Sequence, residues 1–288
     1  MSAPHVQTQI EGLARLGYAA RGVVYVIIGW LAVTAAQGHN HPTDSKGALA
    51  ELFDKPFGTV LLAVVALGLA GYALWRVVGA VADVDRRGRD AKGLVVRAGH
   101  LIAGGIHAAL ALYCLRLLAG RGGHETSEST ARDWTARLLE LPLGDWLVAA
   151  VGIGIAGFGV SQILRAWKAD FLPALACDHR TARVVKPLGQ AGFAARGVVF
   201  VLVGMFFVLA AWHANAMESG GMIKAFRWMQ AQPFGPWLLG IVALGLLAFG
   251  LFSLVQAVYR RIDSEGAMRR IDDSLSRPGR GWPAKPAG

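Results

Sequence analysis

The chain has 288 residues, of which 54% are hydrophobic and only 17% charged. Soluble domains carry about a quarter charged residues, so this balance, with a mean hydropathy of +0.43, excludes an ordinary soluble core and implies several membrane spans. The net charge of +10 does not point to nucleic acid, because Lys and Arg are scattered between apolar runs rather than gathered on one patch.

Residues 1–12 are polar, show no cleavable signal pattern and read as a cytoplasmic N-terminal segment. Six apolar runs follow, at about residues 14–36, 57–80, 95–118, 143–166, 192–213 and 235–258. Each reaches the roughly 20 residues needed to cross about 30 Å of hydrocarbon. Lys and Arg concentrate in the second junction (Arg76, Arg86, Arg87, Arg89, Lys92, Arg97), the fourth (Arg165, Lys168, Arg180, Arg183, Lys186) and the tail. The positive-inside rule then places both termini in the cytoplasm. Three loops on the other side, Asp44 to Phe53, Thr130 to Leu141 and Met222 to Gln230, alternate apolar and charged residues at helical spacing and predict short interfacial helices. Residues 261–288 form a basic, proline-containing tail expected to be disordered.

The spans repeat. Gly17-Tyr18-Ala19-Ala20-Arg21-Gly22-Val23-Val24-Tyr25 returns as Gly192-Phe193-Ala194-Ala195-Arg196-Gly197-Val198-Val199-Phe200, and in diverged form from Gly99 to His107, where Ala103 replaces the arginine. The second helix of each pair opens on a Pro-X-Gly turn at Pro56, Pro142 and Pro233, followed further on by Gly68, Gly154 and Gly245. The expected fold is all-α: six transmembrane helices in three parallel two-helix repeats (residues 13–82, 94–168 and 189–260) about a pseudo-threefold axis. The repeated motif resembles a bacterial membrane family called domain of unknown function 1206, over about residues 12–260. The resemblance implies a bacterial inner-membrane protein of three repeats, and it carries no activity and no site residues.

Positions seven apart share a helix face. Tyr18, Gly22, Tyr25 and Gly29 therefore form one stripe, as do His100, Gly104, His107 and Ala111, and Phe193, Gly197, Phe200 and Gly204. Such a stripe either packs helices closely or lines a central cavity. Arg21 and Arg196 leave too short an apolar run after them for a full span, so each sits inside the span or snorkels from its cytoplasmic edge. If inside, the two guanidiniums are candidates to hold an anion or carboxylate.

His100 and His107 have no facing histidine ligand, so no haem is expected. Cys114 and Cys177 have no metal spacing, and His39, His41 and Asp44 suit a solvated loop better than a metal site. No catalytic residues, metal or cofactor are assigned, because no nucleophile, base and acid come together. Two functions stay open: a small transporter or channel-like protein, and a non-catalytic subunit docking a membrane protein partner. The bilayer is the one partner both share.

Overall fold

The computed structural model describes residues 3–39, 41–81, 83, 88, 90–121 and 126–260, with the side chains of residues 3–10 and Lys92 left aside. The tail 261–288 and Arg86, Arg87 and Arg89 lie outside the described residues. The helices in chain order are α1 (Ala3–Ala36), α2 (Ser45–Phe53), α3 (Gly58–Val81), α4 (Ala91–Leu118), α5 (Ser127–Leu139), α6 (Gly144–Lys168), α7 (His179–Trp212), α8 (Met222–Gln230) and α9 (Gly235–Tyr259). Among the described residues there is no β-strand, only an isolated pairing of Leu175 with Arg260.

Helices α1, α3, α4, α6, α7 and α9 are the six spans. Their outward surface is apolar, with Val60, Leu67, Ile102, Ile106, Ile153 and Ile241 exposed, and Trp146, Trp212 and Trp237 also stand outward. Apolar flanks with exposed tryptophans suit lipid and its interface rather than water. The protein is an integral membrane protein. Helices α1 and α7 each have 34 residues, about 50 Å at 1.5 Å per residue. They begin upstream of the apolar runs because the polar residues there continue the helix. Asp178 caps α7 by accepting a hydrogen bond from the Thr181 amide at 3.0 Å.

The short helices α2, α5 and α8 occupy the three loops predicted to hold them, and each runs into the same turn. Phe57, Leu143 and Phe234 take left-handed backbone with φ of 62°, 62° and 60°. Such a conformation is uncommon for a residue with a side chain, and its recurrence at one repeat position marks a copied structural unit. Gly58, Gly144 and Gly235 follow, where an added Cβ would stand 2.0, 2.2 and 2.1 Å from a carbonyl oxygen of the short helix. The turn prolines lie just ahead of α3, α6 and α9 rather than in their first turns.

The short helices lock together into a lid. Asp44, buried, accepts from the amides of Lys46 and Gly47 within α2 and from the Ser127 amide at the start of α5. Lys46 donates to Thr130 Oγ1 at 3.0 Å, and Gln230 of α8 donates to the Ala35 carbonyl of α1 at 3.1 Å. Of the residues expected in a solvated loop, His39 and His41 are exposed, whereas the Asp44 carboxylate turns inward as a helix cap.

Opposite the lid lie the first turns of α1 and the end of α9, where Arg15 donates to the Ala257 and Val258 carbonyls. Between the two ends the spans follow a cyclic order. The second helix of each copy packs on the first helix of the next: α3 on α4, α6 on α7, α9 on α1. These three joints carry the pseudo-threefold symmetry. Within copies, α1 packs on α3 and α7 on α9, whereas α4 and α6 form no comparable joint.

The stripe glycines make these joints. An added Cβ at Gly29 would stand 2.6 Å from the Leu247 amide of α9, and at Gly204 2.5 Å from the Ala156 amide of α6. Gly104 meets the Ala73 carbonyl of α3 at 3.2 Å. The glycine half of each stripe is thus helix packing, where small residues let backbones approach.

Candidate functional site

The aromatic half of the stripes turns toward the ring's centre and gathers around two guanidiniums. Tyr72, Phe158 and Phe249 each lie one helical turn past the repeated glycine of the second helix, so the three copies supply one ring apiece. Arg21 of α1 stands over Tyr72 and Phe249, 5.2 Å from each centroid. Arg196 of α7 stands over Phe249 at 4.9 Å and Phe158 at 5.5 Å. Each arginine thus bridges the aromatic ring of its own copy and that of the copy before it. Phe249 is shared, so the two guanidiniums are no farther apart than those two distances added together.

The two arginines are held differently. Arg21 is only 7% exposed and reaches into the bundle instead of snorkelling outward. Its NH1 donates to Tyr72 Oη at 2.8 Å and its NH2 to Gln256 Oε1 at 2.6 Å, while Nε is buried without a partner. Tyr72 Oη also accepts from Nε and NH2 of Arg76, at 2.8 and 2.6 Å. Three cationic N–H groups thus converge on one phenol oxygen. Arg196 is half-buried, and its Nε is enclosed and unpaired. Its guanidinium stands over aromatic faces: Phe249, Phe200 at 5.1 Å, Phe158 and Tyr25 at 5.6 Å.

Among the described residues no carboxylate pairs with Arg21 or Arg196. A guanidinium over an aromatic face gains roughly 2 kcal/mol when desolvated, which offsets only part of the several kcal/mol lost on leaving water. The centre is therefore electropositive, with donors left over.

Most of the stripe residues come together here. Tyr18, 1% exposed, packs edge-on to Tyr72 at 5.3 Å under Arg21, and its hydroxyl has no partner. Arg260 caps the same Tyr18 ring from the terminal end, at 5.0 Å. Tyr25 packs edge-on to Phe249 at 4.7 Å, and Phe200 to Phe158 at 5.1 Å. Phe193 sits behind, against Phe171, Phe249 and Phe252. His107 leans on Tyr72 at 4.5 Å and uses Nδ1 to bond the Ala103 carbonyl at 2.7 Å. His100 does not join them. It lies beside Gly79 of α3, two turns nearer the terminal end.

Sequence patterning on the first helices did not find Tyr72, Phe158, Phe249, Gln256 and Arg76, which all come from second helices. The signal was present: an aromatic residue stands at the same distance after the turn proline in every copy. Among the described residues no group of three or more His, Cys, Asp or Glu is placed to hold a metal ion.

These features define a class: a six-span helical membrane protein of three tandem hairpins with an aromatic, cationic centre. The model of the family described as Domain of Unknown Function (DUF1206) matches residues 16–83, 98–169 and 191–260, and the chain belongs to that family. It is 32% identical over 259 residues to the uncharacterized protein YxxB of Bacillus subtilis (strain 168), an alignment covering 89% of this chain and 93% of that one. No solved structure matches the chain.

Proposed function

We propose that this protein resides in a bacterial cytoplasmic membrane with both termini inside, and that its centre binds an anion or carboxylate as part of a small transporter- or channel-like activity. The observation that carries the reading is the pair of guanidiniums sharing Phe249 without a carboxylate. Two like charges at this separation repel by roughly 2 kcal/mol at an effective dielectric constant of 20. A bound anion turns that repulsion into attraction and supplies acceptors for the unpaired N–H groups. Topology rests on the basic junctions at the terminal end. A C-terminal reporter active only outside the cell would overturn it.

The binding test is calorimetric titration of the purified protein with benzoate and with inorganic phosphate. Saturable binding of either is expected, and it should be lost in Arg21→Leu/Arg196→Leu and in Arg196→Leu alone. The single variant guards against misfolding, because Arg196 makes no hydrogen bond among the described residues. An unchanged isotherm in both variants refutes the reading. A second reading, a subunit docking a partner membrane protein, draws on the open faces of α4 and α6 and predicts co-purification of a second protein in fixed ratio.

A further inference from the structure

The copies differ at two matched glycines. In copy one, Gly17 abuts Tyr72 and Gly68 abuts Ala20, so an added Cβ would stand 2.5 and 2.7 Å from those Cβ atoms. In copy three, Gly192 abuts Phe249 and Gly245 abuts Ala195, with clearances of 2.6 and 2.3 Å. In copy two, Gly99 and Gly154 have nothing within 4 Å. The ring of spans is therefore open along its side between α4 and α6, at the copy whose arginine position holds the small Ala103.

Several observations say what fits this opening. Its walls are apolar: Gly99, Ile102 and Ile106 on one face of α4, Gly154 and Phe158 on α6, with both isoleucines and Phe158 exposed. Phe158 is also one of the rings beneath Arg196, so the wall leads to the guanidinium that makes no hydrogen bond among the described residues. Two nine-tenths-buried groups of the same centre, Arg21 Nε and Tyr18 Oη, also lack partners. At one end α2 is tied to α5 through Asp44 and Lys46, and α8 to α1 through Gln230. An apolar slot leading sideways to unpaired cationic donors fits an anionic headgroup with an acyl chain. A second copy fits poorly. Within the spans α4 and α6 the one carboxylate is Asp145, at the lid end, and a symmetric contact would set one Arg196 toward another.

We propose that a bilayer lipid with an anionic headgroup enters between α4 and α6 and seats that headgroup on Arg196. The inference deepens the anion reading of the centre and rests on it. The test uses the full chain in nanodiscs of phosphatidylcholine containing phosphatidylglycerol, with native mass spectrometry to count retained lipids. Wild type is expected to retain phosphatidylglycerol over phosphatidylcholine. Gly154→Trp, which fills the slot from an open position, and Arg196→Gln should each cut that retention about tenfold, the worth of one charge-assisted contact. Gly99→Leu serves as a second slot-filling variant should the tryptophan disturb folding.

Inorganic phosphate, followed by calorimetry, separates the failures. Phosphate binding that needs Arg196, beside phosphatidylglycerol retention indifferent to both slot variants, overturns lateral entry and leaves the anion centre standing. Absence of binding by both probes in wild type overturns the centre itself. A lipid-free dimer dissolved by Gly154→Trp assigns the slot to a second copy and overturns the proposal.

Discussion

Copies one and three close their hairpins, and copy two does not. The pairs α1–α3 and α7–α9 are zipped by glycines against side chains of the partner helix, while the matched glycines of α4 and α6 face open space. The joints between copies are kept in all three places, so the threefold order survives the opening. Contact between a first helix and the previous copy's second helix holds the ring together. Contact within a copy is separable from it, and its loss in copy two exposes one flank of the centre.

The largest effect should come from testing that difference directly. Leucine at Gly192 or Gly245 drives a side chain into Phe249 or Ala195 and should cost about 3 kcal/mol or more, read as a large fall in Tm or loss of folded protein in detergent. Leucine at Gly99 or Gly154 should leave Tm unchanged or slightly raised, since a helix gains up to about 1 kcal/mol on losing a glycine. Equal damage at all four positions would mean that copy two closes like the others.

Next is the second helix's aromatic position. Tyr72→Phe gives copy one the residue found at Phe158 and Phe249, and it removes the oxygen that accepts from Arg21 and Arg76. Leaving the buried Arg21 donor unpaired should cost about 2–3 kcal/mol in thermal unfolding. A silent Tyr72→Phe would show that aromatic faces alone hold Arg21.

The two arginines should then separate by stability. Arg21→Met leaves buried Gln256 without its donor and should lose about 1–2 kcal/mol. Arg196→Met removes no hydrogen bond and should lie within about 1 kcal/mol of wild type, or above it, because a half-buried unpaired charge is replaced by an apolar chain. The same substitution should abolish anion binding. Stability and binding would thus part at Arg196 and fall together at Arg21.

The six spans and three repeats were legible in the sequence because lipid demands long apolar helices, and a copied hairpin leaves copied turns. The short lid helices were legible from their spacing. Arg21 and Arg196 stood out because apolar runs ended too soon after them. Tyr72, Phe158 and Phe249 were not found, since an aromatic residue in an apolar span has no contrast with its neighbours and only the repeat register betrays it. The opening at copy two was illegible for a different reason: Gly154 matches Gly68 and Gly245 in sequence, and only the distance to a neighbour tells a packed glycine from an open one. Asp44 looked like part of a loop cluster with His39 and His41, because helix capping depends on the amides of Lys46 and Gly47 being turned toward it.

The smallest effect concerns how copies two and three begin. Asp90 caps α4 and Asp178 caps α7, each through an amide three residues on. Hydrogen bonding from Thr181, first from its side chain and then from its amide, holds the exposed Asp178 carboxyl below the usual carboxylate range. A carboxyl depressed in the fold contributes stability that is present above its unfolded pKa and is lost as pH falls through its folded value. Asp178→Ala should therefore lower Tm slightly at neutral pH, and the gap from wild type should close once the medium is acidic enough to protonate the folded Asp178. Because α7 is also held along its length by α6 and α9, the loss should stay small and local, read as faster amide exchange in residues 179–186. The matching Asp90→Ala change acts on a helix packed mainly on α3, so fraying there should run further along the chain. Equal fraying at the two starts would mean that helix capping, rather than packing against both neighbours, decides how firmly a first helix is anchored.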